Sequence, residues 1–320
     1  MKKLYYLSRD FFRIVSGRSY FHQQQLLGLY FGDPRGYYND MRGKANWDGA
    51  RISGLPALFV PALETHVLFP IMVLQYGLGS LDMYFQTGDA RYLQAARQVA
   101  RWVLEQIEER GSFRNYFVEL DPATPHYSDN SCMSAGEAIS LLGRISSEQL
   151  DAPSEVDRYS SAMRKLAESI VAPVGEGGCA VFDQADVSLC ETCERSGRII
   201  FNGWIFGIFG LFDYRRFSND ASFDSVLQST VSTLRRRLPA FTEVSGWGYY
   251  DTHKRLNSPF YQELSIYLFE AMGRLFGEPE FLRMADHARS GFSLPRRIKY
   301  TLVKVKDKLF DQALYATKES

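Results

Sequence analysis

Phe69–Gly111 reads FPIMVLQYGLGSLDMYFQTGDARYLQAARQVARWVLEQIEERG, and its apolar positions recur at three and four residues: Ile71, Leu74, Leu78 and Leu81, then Tyr84 and Phe85. That is the period of a helix. TGD interrupts it, with Asp89 placed as an N-cap. A second helix is expected from about Ala90 to Glu109, with Leu93, Ala96, Val99, Val103 and Leu104 inward. The same design returns at Tyr267–Phe292, YLFEAMGRLFGEPEFLRMADHARSGF, where FGEP separates two helical runs. SAGEAISLLGRIS with SSAMRKLAESIV makes another pair, and FNGWIFGIFGLFDYRRF with FDSVLQSTVSTLRRRL another. One hairpin shape is therefore expected several times over, giving seven or eight helices.

Hairpins arranged in a circle make an (α/α) barrel; arranged in a line they make a solenoid, and composition does not separate the two. The expected class is all-α in the main, an (α/α) barrel over residues 51–320 with residues 1–50 as an irregular arm packed on it. Strand signals are sparse. SGRIIF and GWGYYDTH read as short strands or extended loops ahead of helices, where site loops belong. Gly203, Gly207 and Gly210 in GWIFGIFG line one narrow helix face. Each costs about 1 kcal/mol of helix propensity, which a close helix crossing, or a ligand passing near, must offset.

The totals exclude several classes. In 320 residues, 37 basic side chains balance 37 acidic ones, so nothing asks for nucleic acid. Four cysteines are too few for a disulfide framework, and a reducing cytosol is the default compartment. CETC has a redox or zinc-like spacing without a second close pair, so neither a metal nor a cofactor is expected. The start, MKKLYYLSRDFFRIV, is a poor signal peptide, and no apolar run reaches the roughly 18 residues of a membrane span. Being basic and aromatic, this arm could also lie against the inner face of a membrane.

Nucleotide and hydrolase motifs of the Gly-rich, phosphate-loop, His-Glu-x-x-His and Gly-x-Ser-x-Gly kinds are missing from the sequence. What remains is a set of tyrosines, carboxylates, asparagines and arginines near helix mouths. Such a set suits a sugar: rings stack on pyranoses, amides and carboxylates bind hydroxyls, and arginine binds a carboxylate. In ADVSLCETCERSGRIIFNGW, Glu191 precedes Arg195, Arg198 and Asn202. In GWGYYDTHKR, Tyr250 and Asp251 precede His253, Lys254 and Arg255. In NSPFYQELSIYLF, Ser258 reads as a cap and Pro259 as the first helical residue, placing Tyr261 in the first turn. There the helix dipole modestly favours a phenolate. Each stretch also has a plain structural reading, as a solvated loop or an aromatic core edge.

Four stretches, in order across roughly residues 60–290, resemble the C-terminal catalytic domain of D-glucuronyl C5-epimerases. They are FPIMVLQYGLGSLDMYFQTGD, SCMSAGEAISLLGRI, FNGWIFGIFGLFDY and GWGYYDTHKRLNSPFYQELSIYLFEAM. The resemblance implies an (α/α) barrel acting on uronic acid residues of a polysaccharide, without NAD. The reaction takes the proton from C5, beside the carboxylate, and returns one to the opposite face. The family's glutamate ahead of its NG helix matches Glu191, and its tyrosines match Tyr250 and Tyr261. Arg195, Arg198, Lys254 and Arg255 are then the candidate cations, with Asn202, His253 and Tyr76 as further substrate-binding candidates. A uronate-containing glycan is the expected partner, and a homodimer stays open. The chain departs from the family pattern at Thr192, where a tyrosine is usual, at His253-Lys254 for Arg-His, and in YQELS, which lacks two histidines. Family members carry a β-rich domain before the barrel; here about 50 mostly irregular residues precede it.

A polysaccharide lyase shares the C5 abstraction and stays open from the residues. So does an inverting hydrolase, for which Glu191 with Asp251 or Glu64 would be the carboxylate pair. A non-catalytic glycan-binding barrel is the third reading.

Overall fold

The computed structural model describes residue 20 and residues 23–60, 63–116, 127–128, 130–191 and 198–303. Eight α-helices lie there in four hairpins: α1 (Pro70–Thr87) with α2 (Ala90–Arg110), α3 (Cys132–Ser147) with α4 (Pro153–Val171), α5 (Phe201–Ser218) with α6 (Asp224–Arg237), and α7 (Pro259–Phe276) with α8 (Pro279–Gly291). The caps are the ones the sequence implies. Asp89 accepts the Arg91 N–H at 2.9 Å, Gly88 at φ +71° ends α1, and Ser258 Oγ accepts the Tyr261 N–H at 3.3 Å.

Besides the hairpin pairings, α1 packs on α3, α3 on α5 and α5 on α7. The first helices of the hairpins thus form an inner layer, and their partners lie outside it, an (α/α) barrel. Burial follows the same division. α3 and α5 are buried nearly all round, whereas α2, α4 and α8 bury one stripe each. On α1 the buried set is broader than the periodic reading: Met72, Val73 and Tyr76 join Leu74, Leu78 and Leu81, because an inner helix meets neighbours on several sides.

The tightest crossing is between α3 and α5. A Cβ on Gly210 would stand 2.2 Å from the Cα of Gly136, so both residues must be glycine for the two backbones to touch. One charged pair is sealed there. Arg144 on α3 and Asp213 on α5 meet at 2.6 Å, with side-chain exposures of 1% and 0%.

The segment before α1 links the two ends of the inner layer. The Gln25 N–H donates to the Glu263 carboxylate on α7 at 3.1 Å, and the short 3-10 helix Arg42–Ala45 packs on α1. Between these contacts Tyr38 stacks on Phe209 of α5 at 4.0 Å and donates to Asp213 at 2.6 Å.

Among the described residues strands are confined to four two-stranded antiparallel pairs: β1–β2 (Arg51–Ile52, Leu55–Pro56), β3–β4 (Leu58–Val60, Thr65–Val67), β5–β6 (Asn115–Tyr116, Tyr127–Ser128) and β7–β8 (Ala180–Asp183, Asp186–Leu189). The last turns through Gln184 at φ +52° and leads directly to Glu191. Of SGRIIF the described part, residues 198–200, is extended and leads into α5 at Phe201, and GWGYYDTH is loop; single bridges join them and fold the loop on itself, among them Ile200 with Asp251 and Tyr249 with Leu256. No helix among the described residues is long and apolar enough to cross a membrane. The basic stretch through residue 19, on which membrane contact was expected, lies outside the described residues.

Candidate active site

Three backbone arrangements bring the site together. First, the Cys190 N–H donates to Cys179 O at 2.8 Å and the Cys132 N–H to Cys190 O at 3.1 Å. These bonds tie the end of β8 to the start of α3 and set Glu191 beside the inner layer. Second, residues 199–201 run antiparallel to 250–252. The Phe201 N–H donates to Tyr250 O and the Thr252 N–H to Ile199 O, each at 3.0 Å. Tyr250 is thereby fixed at the mouth of α5. Third, the Gln262 side chain on α7 accepts the Gly248 N–H at 2.7 Å and donates to Gly246 O at 3.0 Å. That clamp holds the tyrosine-rich loop against the first turn of α7, where Tyr261 stands.

Glu191 is 7% exposed and lies against the first turn of α5. A Cβ on Gly203 would come within 2.2 Å of Glu191 Oε2 and 2.5 Å of Glu191 Cβ. Gly203 therefore makes room for the carboxylate, a use distinct from the helix crossing served by Gly210. Gly203→Ala gains about 1 kcal/mol of helix propensity but must displace Glu191. The expected result is an intact fold by urea unfolding, with activity lower by about 10²-fold, the usual cost of a misplaced reacting group. Wild-type activity in that variant would separate Glu191 from the chemistry.

The rings of Tyr250 and Tyr261 are 4.7 Å apart, inclined at 59°. Burial pushes the Tyr250 phenol well above its ordinary pKa, and the neighbouring Tyr261 and Glu191 push it further, against the opposing charge of Arg255. Tyr250 is thus a proton donor at neutral pH, not a phenolate. The Arg255 guanidinium lies 5.3 Å over its ring.

The expected cations are placed unequally. Asp251, fully buried, accepts Arg255 Nε at 2.6 Å, and Arg198 Nη1 lies 4.0 Å from the same oxygen. The other Asp251 oxygen accepts the His253 N–H at 3.0 Å, closing a turn whose tip, Lys254, sits at φ +59°. The side chains of His253 and Lys254 are exposed. Arg195 lies outside the described residues. Asn202 is buried in the first turn of α5, with its amide 4.0 Å from Met133 Sδ. Asp251 is buried and bound by Arg255, and Glu64 is exposed on the β3–β4 turn at φ +49°.

Tyr76 is buried on α1 under Arg51, whose guanidinium lies 5.3 Å over its ring. Next to it, Gln75 Nε2 donates to Glu137 Oε1 on α3 at 3.0 Å. Glu137 is fully buried and close enough to Glu191 for their charges to interact. Lys44, from the segment before α1, is 6% exposed, and its charge bears on Glu137. Sequence reasoning missed both. The signal was there for Glu137: an acid in SAGEAISLL falls among residues that all face the interior. A groove lined by Ala185, Asp186, Gln228, Ser229, Ser232 and Arg236 shares no residue with this set. Among the described residues no three His, Cys, Asp or Glu side chains cluster as metal ligands.

The family described as D-glucuronyl C5-epimerase C-terminus matches residues 127–290, from β6 through α8, half of the chain. The chain belongs to the D-glucuronyl C5-epimerase family. It is an enzyme, an isomerase that acts at C5 of uronic acid residues. No curated protein matches the chain. The epimerase match covers Glu137, Glu191, Tyr250 and Tyr261 together. Lys44, Gln75 and Tyr76 precede the matched region.

Proposed function

We propose that Glu191 and Tyr261 transfer the C5 proton on opposite faces of a uronate residue in a poly- or oligosaccharide, with Tyr250 as hydrogen-bond donor. What supports this most is the meeting of the Tyr250–Tyr261 ring pair with the charge of Glu191 at one end of the inner layer. The C5–H lies beside an ionised carboxylate and is very weakly acidic. When the Glu191 carboxylate takes that proton, the C5–H electron pair enters a C5–C6 enediolate. The tetrahedral centre is restored when the Tyr261 O–H delivers a proton to the other face, leaving a phenolate. Solvent then resets both groups. In the reverse direction their roles exchange.

The enediolate carries two negative charges, so the site must donate toward its oxygens. Tyr250, held protonated by burial, suits that task. Arg255 and Arg198 lie behind it on Asp251 and supply positive potential at that edge. The expected test result is deuterium at C5 of both epimers when glucuronate glycans are incubated with the enzyme in deuterated water, with chain length unchanged. Unsaturated chain ends would mark a lyase instead, and new reducing ends a hydrolase. Exchange at full rate in Tyr250→Phe would remove Tyr250 from the proposal.

A further inference from the structure

We propose that Glu137 is a positioning residue for the C5 reaction, a buried carboxyl that acts through Glu191 and sets the alkaline limit of the enzyme. The proposal rests on the reading of Glu191 as the proton-transferring carboxylate.

Glu137 lies on α3 five residues beyond Cys132, about 7.5 Å along the helix axis. Cys132 itself touches the Glu191 neighbourhood, since its Sγ donates to Gly203 O at 3.2 Å. Glu137 therefore sits deeper between the inner helices than Glu191. Its exposure is 0%, one oxygen accepts from Gln75 at 3.0 Å, and the other makes no hydrogen bond among the described residues. Leaving a buried carboxyl oxygen without a donor is destabilising. A methionine would fill the same space without that penalty, so packing does not account for an acid here.

The groups facing it come from every side. Gln75 comes from α1, while Lys44, Tyr20 and Tyr37 come from the segment before α1. Glu191 comes from the loop after β8, and the Arg144–Asp213 pair lies farther along α3. Burial pushes the Glu137 carboxyl up to about 8, with the Glu191 charge adding to the rise while Gln75 and Lys44 oppose it. Burial also pulls the Lys44 ammonium down to about 8. Below that range Glu137 is neutral and Lys44 charged. Above it the pair turns from positive to negative beneath a site that must accept a uronate and build a dianion. Like charges there oppose the reaction, so activity should fall as Glu137 ionises.

Glu137→Gln keeps the shape and the contact to Gln75 but cannot ionise. The readout is deuterium incorporation across pH on any uronate glycan that the parent turns over. The variant's alkaline limb should move up by about one pH unit or more. An unchanged limb, or one moved to lower pH because Lys44 dominates, overturns the proposal. A substrate-free readout accompanies it. The parent should show infrared carbonyl absorption of a protonated carboxylic acid that titrates near pH 8, and Glu137→Gln should lose that component while keeping the one of Asp82, whose carboxyl burial raises to about 7. If the parent has no component titrating above that of Asp82, the proposal fails even where the variant does not fold. A normal band together with parental exchange in Glu191→Gln would instead retire the assignment of Glu191.

Discussion

Glu191→Gln should lower C5 inversion by about 10²–10⁴-fold, the range for loss of a positioned acid or base, and Tyr261→Phe should do the same. Both substitutions preserve shape. Gln fills the space beside Gly203, and Phe keeps the ring 4.7 Å from Tyr250. The two-faced geometry makes the result more specific than a loss of rate. With one group gone, the other can still remove a proton from its own face and return a deuteron there. Each variant should therefore retain slow exchange into one epimer and lose it for the other, and the two variants should show opposite preferences. The check is deuterium at C5, read for glucuronate and iduronate residues separately by NMR. Inversion within about tenfold of the parent in both variants would show that the proton moves through other groups. The same epimer preference in both would place Glu191 and Tyr261 on one face.

Much of this architecture could be read from the order of residues, for identifiable reasons. Helix periodicity, Asp89 and Ser258 as caps, and Pro259 at the start of α7 are local signals, and local signals survive folding. The four hairpins follow from them. That the hairpins pack α1 on α3, α3 on α5 and α5 on α7 is not local, and a solenoid remained open until those pairings were seen. Gly210 and Gly203 share one narrow face about two turns apart, yet one accommodates Gly136 and the other Glu191. No spacing rule separates those uses, because each depends on what a different element brings to it. The β7–β8 hairpin escaped the reading because its turn uses Gln184 at positive φ, where glycine or asparagine is the usual sign. The cations were the hardest part. Arg198, Lys254 and Arg255 are near the site in sequence, but Asp251 draws two of them to itself and leaves Lys254 at an exposed turn. The buried cation whose charge bears on Glu137 is instead Lys44, from a segment with no periodicity. A single lysine in RGKANW carries no mark of burial until the barrel closes around it.

Asp213→Asn should destabilise the fold by about 3–5 kcal/mol, the usual cost of removing one partner of a buried ion pair. Arg144 on α3 commits four of its five N–H donors: Nη1 reaches Asp213 and Ser140 O, while Nε and Nη2 reach Gly36 O. Asp213 accepts from Tyr38 and Ser140 as well, each at 2.6 Å. The network joins the segment before α1 to both inner helices. Burial opposes the Arg144 charge, but Asp213, with the phenols of Tyr38 and Tyr37, raises its pKa above the ordinary value, so the guanidinium stays charged. An asparagine in place of the aspartate leaves that cation in the interior with no anion, and its amide would point donors at donors. The measurement is the urea midpoint at constant m-value. A fall in m as well would mean that the segment carrying Gly36 and Tyr38 had detached in the native state. Replacing Arg144 and Asp213 together with apolar residues of similar volume should recover much of the loss. A single Asp213→Asn variant within about 1 kcal/mol of the parent would show that water reaches the pair and that the crossing of α3 and α5 is held by Gly136 and Gly210 alone.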